Sequence, residues 1–364
     1  MKDEHVSHFC NRENWGDNAP FGFSQRDRRN HLYIIGKTGV GKTTVLRNLI
    51  AQDLAAGMGV GLIDPHGDLA EEALDLVPRS RTEDVVYFNP ADAKFPIGLN
   101  VLRSLPREHG HLVASGVVAA LKNVWSDSWG PRLEYILYAA VAALTECENT
   151  TLLGVQRMLT DKIYRLWVVR QVKDPLVRSF WTREFPGYGP RLQAEAVAPI
   201  LNKVGQLFMS PPIRNVLGQV RSRIDARFMM DNRRIFIANL AKGRLGEDKS
   251  HLLGALLVHQ FQLAAMSRAN IPEASRTDFN LVVDEFQNFA SDSFAGVLSE
   301  ARKFRLCLTL PDHLCVFFAC GDDVSVDLEA SIGRPSEDGW GVPCSMGFLS
   351  GGDVELINLC NCAV

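Results

Sequence analysis

The sequence predicts an α/β fold whose mostly parallel sheet is interrupted by an all-helical insertion. Two observations lead to this class. Apolar strands alternate with helices in residues 31–104 and again in 233–310, as they do when helices join parallel strands. Between these two parts, in residues 105–232, the hydrophobic period is helical. We therefore expect one discontinuous domain with an insertion, a lead-in at 1–30 and a tail of different character at 311–364.

The first part of the domain opens as a βαβ unit. An apolar strand, HLYIIG, leads into a glycine-rich loop, and the helix TTVLRNLIAQDLAAG follows. A second short apolar strand, GVGLID, ends at Asp64 and Pro65. The segment EDVVYF has the composition of a third strand, and Pro90 and Pro96 mark the loop after it.

The insertion is predicted to consist of helices separated by prolines. Its main periodic segments are HLVASGVVAALKNVW, RLEYILYAAVAALTE, TTLLGVQRML and AEAVAPILNKVGQLFM. Residues 105–230 hold 16 Lys and Arg against 10 Asp and Glu. A solvated helical surface can carry this surplus as readily as a surface that contacts an anionic partner, so both interpretations remain open.

Strand character returns in the second part of the domain. The strand RRIFIANL is followed by the helix HLLGALLVHQFQLAAMSR and the strand DFNLVVDEF. The helix FAGVLSEARKF then leads into the strand RLCLTL. Because strands and helices again alternate, these strands are expected to join the same parallel sheet as the first part.

Composition indicates a globular chain without a membrane span. Of the 364 residues, 46% are hydrophobic, which is enough for a sizeable core. No apolar run reaches the roughly 18 to 20 residues that a bilayer requires. The first 30 residues are polar and contain no signal-peptide core. These features predict a cytoplasmic protein, or one held peripherally at the inner membrane through partners.

Acidic residues and cysteines are concentrated in the tail. The formal net charge is -3, yet residues 311–364 hold one Arg and nine Asp or Glu, so the rest of the chain is net positive. Six of the eight cysteines lie at the end of the chain: Cys307, Cys315, Cys320, Cys344, Cys360 and Cys362. Without a secretion signal, free thiols are expected rather than a disulfide framework.

The glycine-rich loop after the first strand predicts a site for ATP and Mg²⁺. It matches the pattern G-x-x-x-x-G-K-[ST] in full, with Gly36, Lys37, Thr38, Gly39, Val40, Gly41, Lys42, Thr43 and the adjoining Thr44. Glycines allow backbone N–H groups to surround phosphate oxygens, and the helix N-terminus adds its positive dipole end. We expect Lys42 to reach the β- and γ-phosphates and the Thr43 hydroxyl to ligate Mg²⁺.

An acidic pair at the end of a later strand completes this prediction. Asp284 and Glu285 follow the apolar run LVV. Asp284 is expected to hold Mg²⁺ through water, and Glu285 to polarise the attacking water as a general base.

The turn DPHGD follows the second strand. Ligands gather at the carboxyl ends of parallel strands, so Asp64, His66 and Asp68 are candidates for the border of the nucleotide site or of a subunit interface. Turns are also rich in Asp, Pro and Gly for purely structural reasons, and this alternative stays open.

Phosphoryl transfer also needs positive charge, which some ATPases take from a neighbouring subunit as an arginine finger. Arg302, at the end of a predicted helix after the acidic pair, is the first candidate, and Arg305 and Arg132 are weaker ones. A surface salt bridge or a helix C-terminal charge explains any one of these arginines equally well.

These motifs together resemble the TraG/TraD-type coupling proteins of conjugation and type IV secretion, within the wider HerA/FtsK group of DNA-pumping ATPases. The segments that carry the resemblance are FGFSQRDRRNHLYIIGKTGVGKTT, GLIDPHGDLAEE, DVVYFNPAD, PIGLNVL, SWGPRLEYIL, NLAKGRLGEDKSHLLGALL and DEFQNFASDSFAGVLSEARKFRL. They occur in order over about residues 21–310.

The resemblance implies a P-loop NTPase fold of RecA/FtsK-like type and a homohexameric ring that moves DNA through its centre. It places nucleotide at the subunit interfaces, with Lys42 and Thr43 in the phosphate loop, Asp284 and Glu285 as the magnesium and hydrolysis pair, and Arg302 as the arginine after the acidic strand. The implied partners are DNA, single-stranded and bound without sequence preference, a relaxase, and the type IV secretion channel. The helical insertion is implied to face the substrate or its relaxase.

The chain departs from this family after Leu310. Related proteins usually continue Ala-His-Gln, with a glutamine that senses the γ-phosphate, whereas His313 occupies that place here. Because nothing later matches the family, we expect the last strands to be missing and an unpaired sheet edge beside the P-loop strand or its neighbours.

Three interpretations of residues 311–364 remain open: a zinc site built from the cysteines, an acidic interaction tail, or a loss of the coding frame near Leu310. The function expected from the sequence is a DNA-translocating ATPase of the conjugative coupling type. The alternatives are a nucleotide-binding scaffold or incomplete, non-hydrolysing copy, and a HerA-like DNA-repair translocase.

Overall fold

The structure is a computed structural model that describes residues 5–14, 17–36, 39–103, 109–289, 301–312, 347–351 and 354–359. Its centre is a sheet of eight strands in the order β5-β6-β4-β7-β8-β3-β10-β9, and a separate hairpin is formed by β1 and β2. The strands are β1 (Val6–Asn14), β2 (Asp17–Ser24), β3 (Leu32–Gly36), β4 (Gly59–Asp64), β5 (Val85–Phe88), β6 (Ile235–Asn239), β7 (Phe279–Val283), β8 (Leu306–Asp312), β9 (Gly347–Gly351) and β10 (Val354–Leu359).

Neighbouring strands of the sheet are parallel, except that β9 runs antiparallel to β10. The strands β4, β6 and β7 are buried at every position. A strand with both faces covered reads as an unbroken apolar run, which is why GVGLI, IFIA and FNLVV carry almost no polar residues.

The helices cover both faces of the sheet and form the insertion. They are α1 (Gln25–Arg28), α2 (Lys42–Ala55), α3 (Asp68–Asp75), α4 (Gly110–Val124), α5 (Pro131–Thr145), α6 (Gly154–Thr160), α7 (Lys162–Val169), α8 (Pro175–Ser179), α9 (Phe185–Gly187), α10 (Gly189–Met209), α11 (Pro211–Leu217), α12 (Ala226–Asp231), α13 (Lys242–Leu245) and α14 (Glu247–Met266). Within the described ranges, no helix is long and apolar enough to cross a bilayer.

Among the described residues, the buried apolar side chains form two hydrophobic clusters, one for each face of the sheet. The smaller one joins α2 and α3 to strands β3 and β4, with Leu46, Leu49 and Ile50 of α2 fully buried. The larger cluster runs from the other face through α14 into α4 and α5, where Ile136 and Ala140 have no solvent exposure. The insertion therefore shares its core with the sheet.

The lead-in is structured, although the sequence assigned no element to it. The hairpin β1–β2 packs on α2, and α1 follows with Ser24 as its N-cap. Arg28 donates a hydrogen bond of 2.5 Å to Asp53 of α2, and the two side chains are 2% and 1% exposed. Ser7 also donates to Asp53, at 3.2 Å. A buried ion pair thus ties the lead-in to the helix that follows the glycine loop.

The predicted α/β class is confirmed, and the described residues between β5 and β6 form helices and turns without a strand. The expectation of an unpaired edge beside the P-loop strand is wrong, because β10 pairs in parallel with β3 from Glu355–Leu32 to Leu359–Gly36. The division into domains stays a prediction. Most of the predicted helix FAGVLSEARKF lies outside the described residues, as does most of the tail.

Candidate functional site

The glycine loop lies between the end of β3 at Gly36 and the start of α2 at Lys42. Gly39 and Gly41 have φ angles of 85° and 92°, in the left-handed region that favours glycine. Gly41 is the N-cap of α2 and provides no side chain to satisfy the first N–H groups of the helix. These N–H groups are therefore suited to an anion such as a phosphate. Lys37 and Thr38 lie outside the described residues.

Lys42 is held within the loop. Its side chain is 8% exposed, and Nζ donates a hydrogen bond to the carbonyl oxygen of Gly36. Thr43 and Thr44, by contrast, are exposed on the first turn of α2. The loop thus presents an ammonium group and two hydroxyl-bearing residues at the carboxyl end of β3, which are the groups needed to bind phosphate and a hard cation.

The acidic pair leaves the sheet at the same edge. Strands β4 and β7 are neighbours with Ile63 opposite Val283, and the N–H of Asp284 donates to the carbonyl of Ile63 at 3.0 Å. Asp64 and Asp284 are therefore adjacent. Burial raises the pKa of Asp284 to about 6, and the negative charges of Asp64 and Glu285 add to the rise. A bound cation would stabilise the ionised form of this carboxylate, so Asp284 is a candidate cation ligand.

Glu285 has an unusual backbone and a fixed side chain. Its φ of 50° is left-handed, a conformation that costs energy in a residue other than glycine and is found preferentially at functional sites. One carboxylate oxygen accepts a hydrogen bond from Gln287 Nε2 at 2.5 Å. The other lies 3.6 Å from Nε2 of His66. The turn after β4 and the turn after β7 therefore meet at Glu285.

The turn that carries His66 is held by hydrogen bonds from its backbone N–H groups to the side chain of Asp64. The carboxylate of Asp64 accepts the N–H groups of His66 at 2.8 Å and Ala70 at 2.9 Å. Gly67 has φ 95°, and a Cβ there would lie 2.7 Å from Oδ1 of Asn239 at the end of β6. Asn239 also donates to the hydroxyl of Tyr87 at 3.0 Å. Gly67 is thus required by the close approach of β6.

Sequence reasoning predicted Asp64 and His66 at this edge, but it missed Gln287 and Asn239. Both belong to segments that carry the family resemblance, DEFQNFASDS and NLAKGRLGEDKS. The contact of Asn239 with the Gly67 turn depends on β6 being the neighbour of β4, which no spacing rule indicates. Gln287 lies only two residues after Glu285, but no common motif assigns an amide at that position to the carboxylate. Asp68, the third residue predicted in this turn, begins α3.

One strand separates the glycine loop from the acids, since β8 lies between β3 and β7. Neighbouring strands are about 4.8 Å apart, so the two groups are separated by roughly 10 Å across the sheet. A phosphate chain with its cation spans such a gap. The carboxyl end of β8, at Asp312, lies between the glycine loop and the acids. His313 lies outside the described residues.

The candidate arginines lie elsewhere. Arg302 is exposed and precedes β8, whose first residue, Leu306, is opposite Phe279 at the start of β7. It is therefore at the opposite edge of the sheet, about 20 Å along the strand from the acids. Arg305 forms an ion pair with Asp278 at 3.5 Å at that far edge. Arg132 is exposed on the first turn of α5.

Within the described residues, no group of three or more His, Cys, Asp or Glu is arranged to hold a metal ion. A magnesium ion at a nucleotide site takes one or two protein oxygens and completes its shell with phosphates and water, and Thr43 with Asp284 fits that donor set. The cysteines proposed for zinc, from Cys315 onward, lie outside the described residues.

The fold and the glycine loop together have the architecture of a P-loop nucleotide-binding domain. The family described as "Helicase HerA, central domain" matches residues 20–161. Type 4 coupling protein DotL of Legionella pneumophila subsp. pneumophila (strain Philadelphia 1) is 23% identical over 341 residues, covering 77% of this chain and 43% of DotL.

Two solved structures of other proteins are similar to this chain in fold. The bacterial conjugative coupling protein TrwB, in a form with ADP and Mg²⁺, superposes with a TM-score of 0.54 at 17% identity, covering 86% of this chain and 69% of TrwB. VirB4 of Thermoanaerobacter pseudethanolicus gives 0.51 at 14% identity, covering 85% and 76%. The resemblance to coupling-protein-type P-loop ATPases is thus confirmed. The chain spans less than half the length of the curated relative that it matches.

Proposed function

We propose that this chain is an ATP-hydrolysing motor that drives DNA into a type IV secretion or conjugation system. One observation carries the proposal: the glycine loop with Lys42 and the acidic pair Asp284 and Glu285 lie at the same edge of one parallel sheet, with the single strand β8 between them. ATP would lie across this edge, with its phosphates at the N-terminus of α2 and its terminal phosphate toward β7.

Binding of the nucleotide follows from the residues of the loop. Backbone N–H groups of the glycine loop (residues 36–44) would surround the phosphates, and the Lys42 ammonium would exchange its bond to Gly36 for the β- and γ-phosphate oxygens. Thr43 would ligate Mg²⁺ directly, and Asp284 would hold it through water. When bound, Mg²⁺ supplies positive charge that neutralises the phosphate oxygens.

Hydrolysis is assigned to Glu285. Its carboxylate would take a proton from a water molecule as the water oxygen bonds to the γ-phosphorus and the bond to the β,γ-bridging oxygen breaks, releasing ADP and phosphate. Gln287 and His66 contact the two oxygens of Glu285, which supports a fixed orientation for this base.

Arg302 is proposed to act on a neighbouring subunit. About 20 Å of strand separates it from the acids of its own chain, which is beyond the reach of an arginine side chain. A homohexameric ring, in which this edge of one subunit faces the nucleotide of the next, would supply the missing positive charge in trans.

The proposed substrate is single-stranded DNA, contacted through its phosphates by Lys and Arg that face the ring pore. Such binding is independent of sequence and weakens as salt concentration rises. A relaxase and the secretion channel are the proposed protein partners, with the chain held at the inner membrane through them. TrwB and DotL, both coupling proteins, support this assignment.

The motor function is tested by displacement of streptavidin from single-stranded oligonucleotides biotinylated at either end. We expect the wild-type chain with Mg²⁺ and ATP to displace streptavidin from unrelated sequences, and Lys42→Ala to lose the activity. Lys94→Ala, at an exposed position distant from the loop in sequence, is the matched control and should remain active. Displacement that persists in Lys42→Ala would contradict the motor.

A nucleotide-binding scaffold is the second candidate, favoured by His313 at the place of the sensing glutamine. A scaffold would bind ATP with Mg²⁺ but show neither displacement nor DNA-stimulated phosphate release.

The match to the HerA central domain keeps a DNA-repair translocase as a third candidate, since it shares the chemistry and differs in its partners. A relaxase gene beside this one would favour conjugation.

A further inference from the structure

Helix α7 of the insertion has apolar residues on both of its faces. Val168 and Val169 face inward and are 0% and 6% exposed. Ile163, Leu166 and Trp167 face outward and are 81%, 48% and 44% exposed. Their i, i+3, i+4 spacing places these three side chains on one side of the helix. We call this surface the α7 face; a stripe of this kind is normally buried against another element.

The α7 face is unusual within the described part of the chain. The other large exposed hydrophobic side chains occur singly on different elements: Val6, Phe95, Tyr135, Leu176, Met209, Val220 and Phe228. Scattered single residues of this kind are normal on protein surfaces, whereas a grouped apolar patch marks an interaction site.

The α7 face is also held in place before any partner arrives. Asp161 caps the helix by accepting the N–H groups of Ile163 at 2.9 Å and Tyr164 at 3.0 Å. The centroids of the Tyr164 and Trp167 rings are 5.6 Å apart, and the guanidinium carbon of Arg157 lies 4.0 Å from the centroid of the Tyr164 ring. A surface ordered in advance loses less entropy on binding.

Basic side chains surround the α7 face. Residues 161–178 contain five Lys or Arg and two Asp. Both aspartates, Asp161 and Asp174, are engaged as helix N-caps. Lys162, Arg170 and Lys173 are exposed and form no ion pair with a described residue. Glu146 adds a third carboxylate, which accepts the backbone N–H of Lys173 at 2.5 Å. With five basic and three acidic side chains, the surroundings of the apolar stripe are still net positive.

We propose that the α7 face binds an amphipathic helical segment of another protein, with apolar anchors flanked by acidic side chains. Ile163, Leu166 and Trp167 would receive the anchors, and Lys162 and Arg170 would pair with the acidic flanks. A second copy of this chain fits less well, because a symmetric contact between two such faces would bring like charges together. Nucleic acid fits less well because two of the three central side chains are aliphatic.

The test uses the full chain and two labelled helical peptides. One peptide carries Leu at i, i+3, i+4 and i+7 with Glu at the flanking positions, and the other has Lys in place of every Glu. Fluorescence anisotropy should show saturable binding of the acidic peptide, and weaker binding of the basic one by about tenfold or more. The measurement needs no ATP, so its failure leaves the proposed motor function untouched.

Two double variants locate the binding site. Ile163→Ser with Leu166→Ser, and separately Lys162→Glu with Arg170→Glu, should each weaken the acidic peptide by about tenfold. Met209→Ser, at a residue that is 82% exposed on α10, is the matched control and should bind like wild type. Because all these positions are at the surface, thermal unfolding should change little and will show that the variants are folded.

Three results would overturn the proposal. The first is equal affinity for the two peptides, or unchanged binding in both double variants. In the second, Trp167→Ala weakens binding of a single-stranded oligonucleotide and leaves the peptide unaffected, which would make the α7 face a nucleic-acid contact. The third is a change in the sedimentation of the protein alone on replacing Ile163 and Leu166, which would identify an interface between copies of this chain.

Discussion

At the residue scale, the carboxylates of Asp64, Asp284 and Glu285 are crowded at the ends of two neighbouring strands. Because burial and the two neighbouring charges raise the pKa of Asp284 to about 6, ionising this group costs stability whenever no cation is present. Between about pH 4 and 6 the folded state binds more protons than the unfolded state, so stability falls as the pH rises through that window.

We predict that Asp284→Asn stabilises the metal-free protein. Asparagine keeps the shape of the side chain and removes the costly charge, so the free energy of unfolding near pH 8 should rise by up to about 3 kcal/mol. The gain should disappear below about pH 4, where Asp284 is protonated in both states. Urea unfolding of both proteins at the two pH values measures the difference.

Asp75→Asn is the control, since Asp75 is exposed at the end of α3. It should leave stability nearly unchanged at both pH values. If Asp284→Asn is less stable than wild type near pH 8, the ionised carboxylate of Asp284 does not destabilise the folded protein. The argument that Asp284 holds a cation would then fail.

Glu285→Gln should separate binding from hydrolysis. Glutamine cannot accept the proton of the attacking water, so we expect phosphate release to fall by about 10² to 10⁴-fold while ATP binding is retained. Nucleotide binding and phosphate release are measured on the same preparation. Glu273→Gln, at an exposed position on the turn before β7, is the matched control. Unchanged turnover in Glu285→Gln would assign the base to another residue.

At the element scale, the hairpin β1–β2 and helix α1 are joined to α2 through the buried pair Arg28 and Asp53. Burial alone would raise the pKa of the Asp53 carboxyl, but Arg28 and the hydrogen bonds from Arg28 and His5 hold it below its ordinary value. The pair therefore contributes stability above the ordinary Asp pKa, and this contribution is lost as the pH falls through the lowered value.

We predict that Arg28→Met destabilises the fold by about 3 to 5 kcal/mol, because the buried Asp53 carboxylate loses its arginine partner and keeps only weaker hydrogen bonds such as that from Ser7. Adding Asp53→Leu should recover part of this loss, since an apolar pair replaces an isolated charge. Arg191→Met, at a side chain that is 94% exposed, should change stability little. Equal stability of Arg28→Met and wild type in urea would show that the pair does not hold the lead-in.

The strands of the sheet were predictable because each is short, apolar and bounded by turn residues. The segments FNLVV and IFIAN are buried at every position, and burial on both faces leaves a pattern that sequence alone reveals. The hairpin β1–β2 was not predicted because HFCNREN and DNAP mix charged, polar and apolar residues without strict alternation. Pairing between the two strands and packing on α2 override that weak local preference.

At the scale of the whole molecule, strand order was not predictable. Parallel pairing joins segments far apart in the chain, so no local pattern indicates that β8 lies between β3 and β7 or that β10 flanks β3. The order matters for the site. It leaves a single strand, β8, between Lys42 and Glu285, and it explains why Asn239 could not be assigned from motifs. The parallel direction of the strands, which the sequence did predict, places Lys42 and Glu285 at one edge and Arg302 at the other.

The central claim is tested most directly by phosphate release from Mg²⁺ and ATP, measured for the whole chain with and without single-stranded DNA. We predict that DNA raises the rate for the wild type, that the increase weakens as salt concentration rises, and that Lys42→Ala shows only background release in every condition. If wild type and Lys42→Ala release phosphate at the same background rate while the wild type still binds ATP, this chain is not a motor.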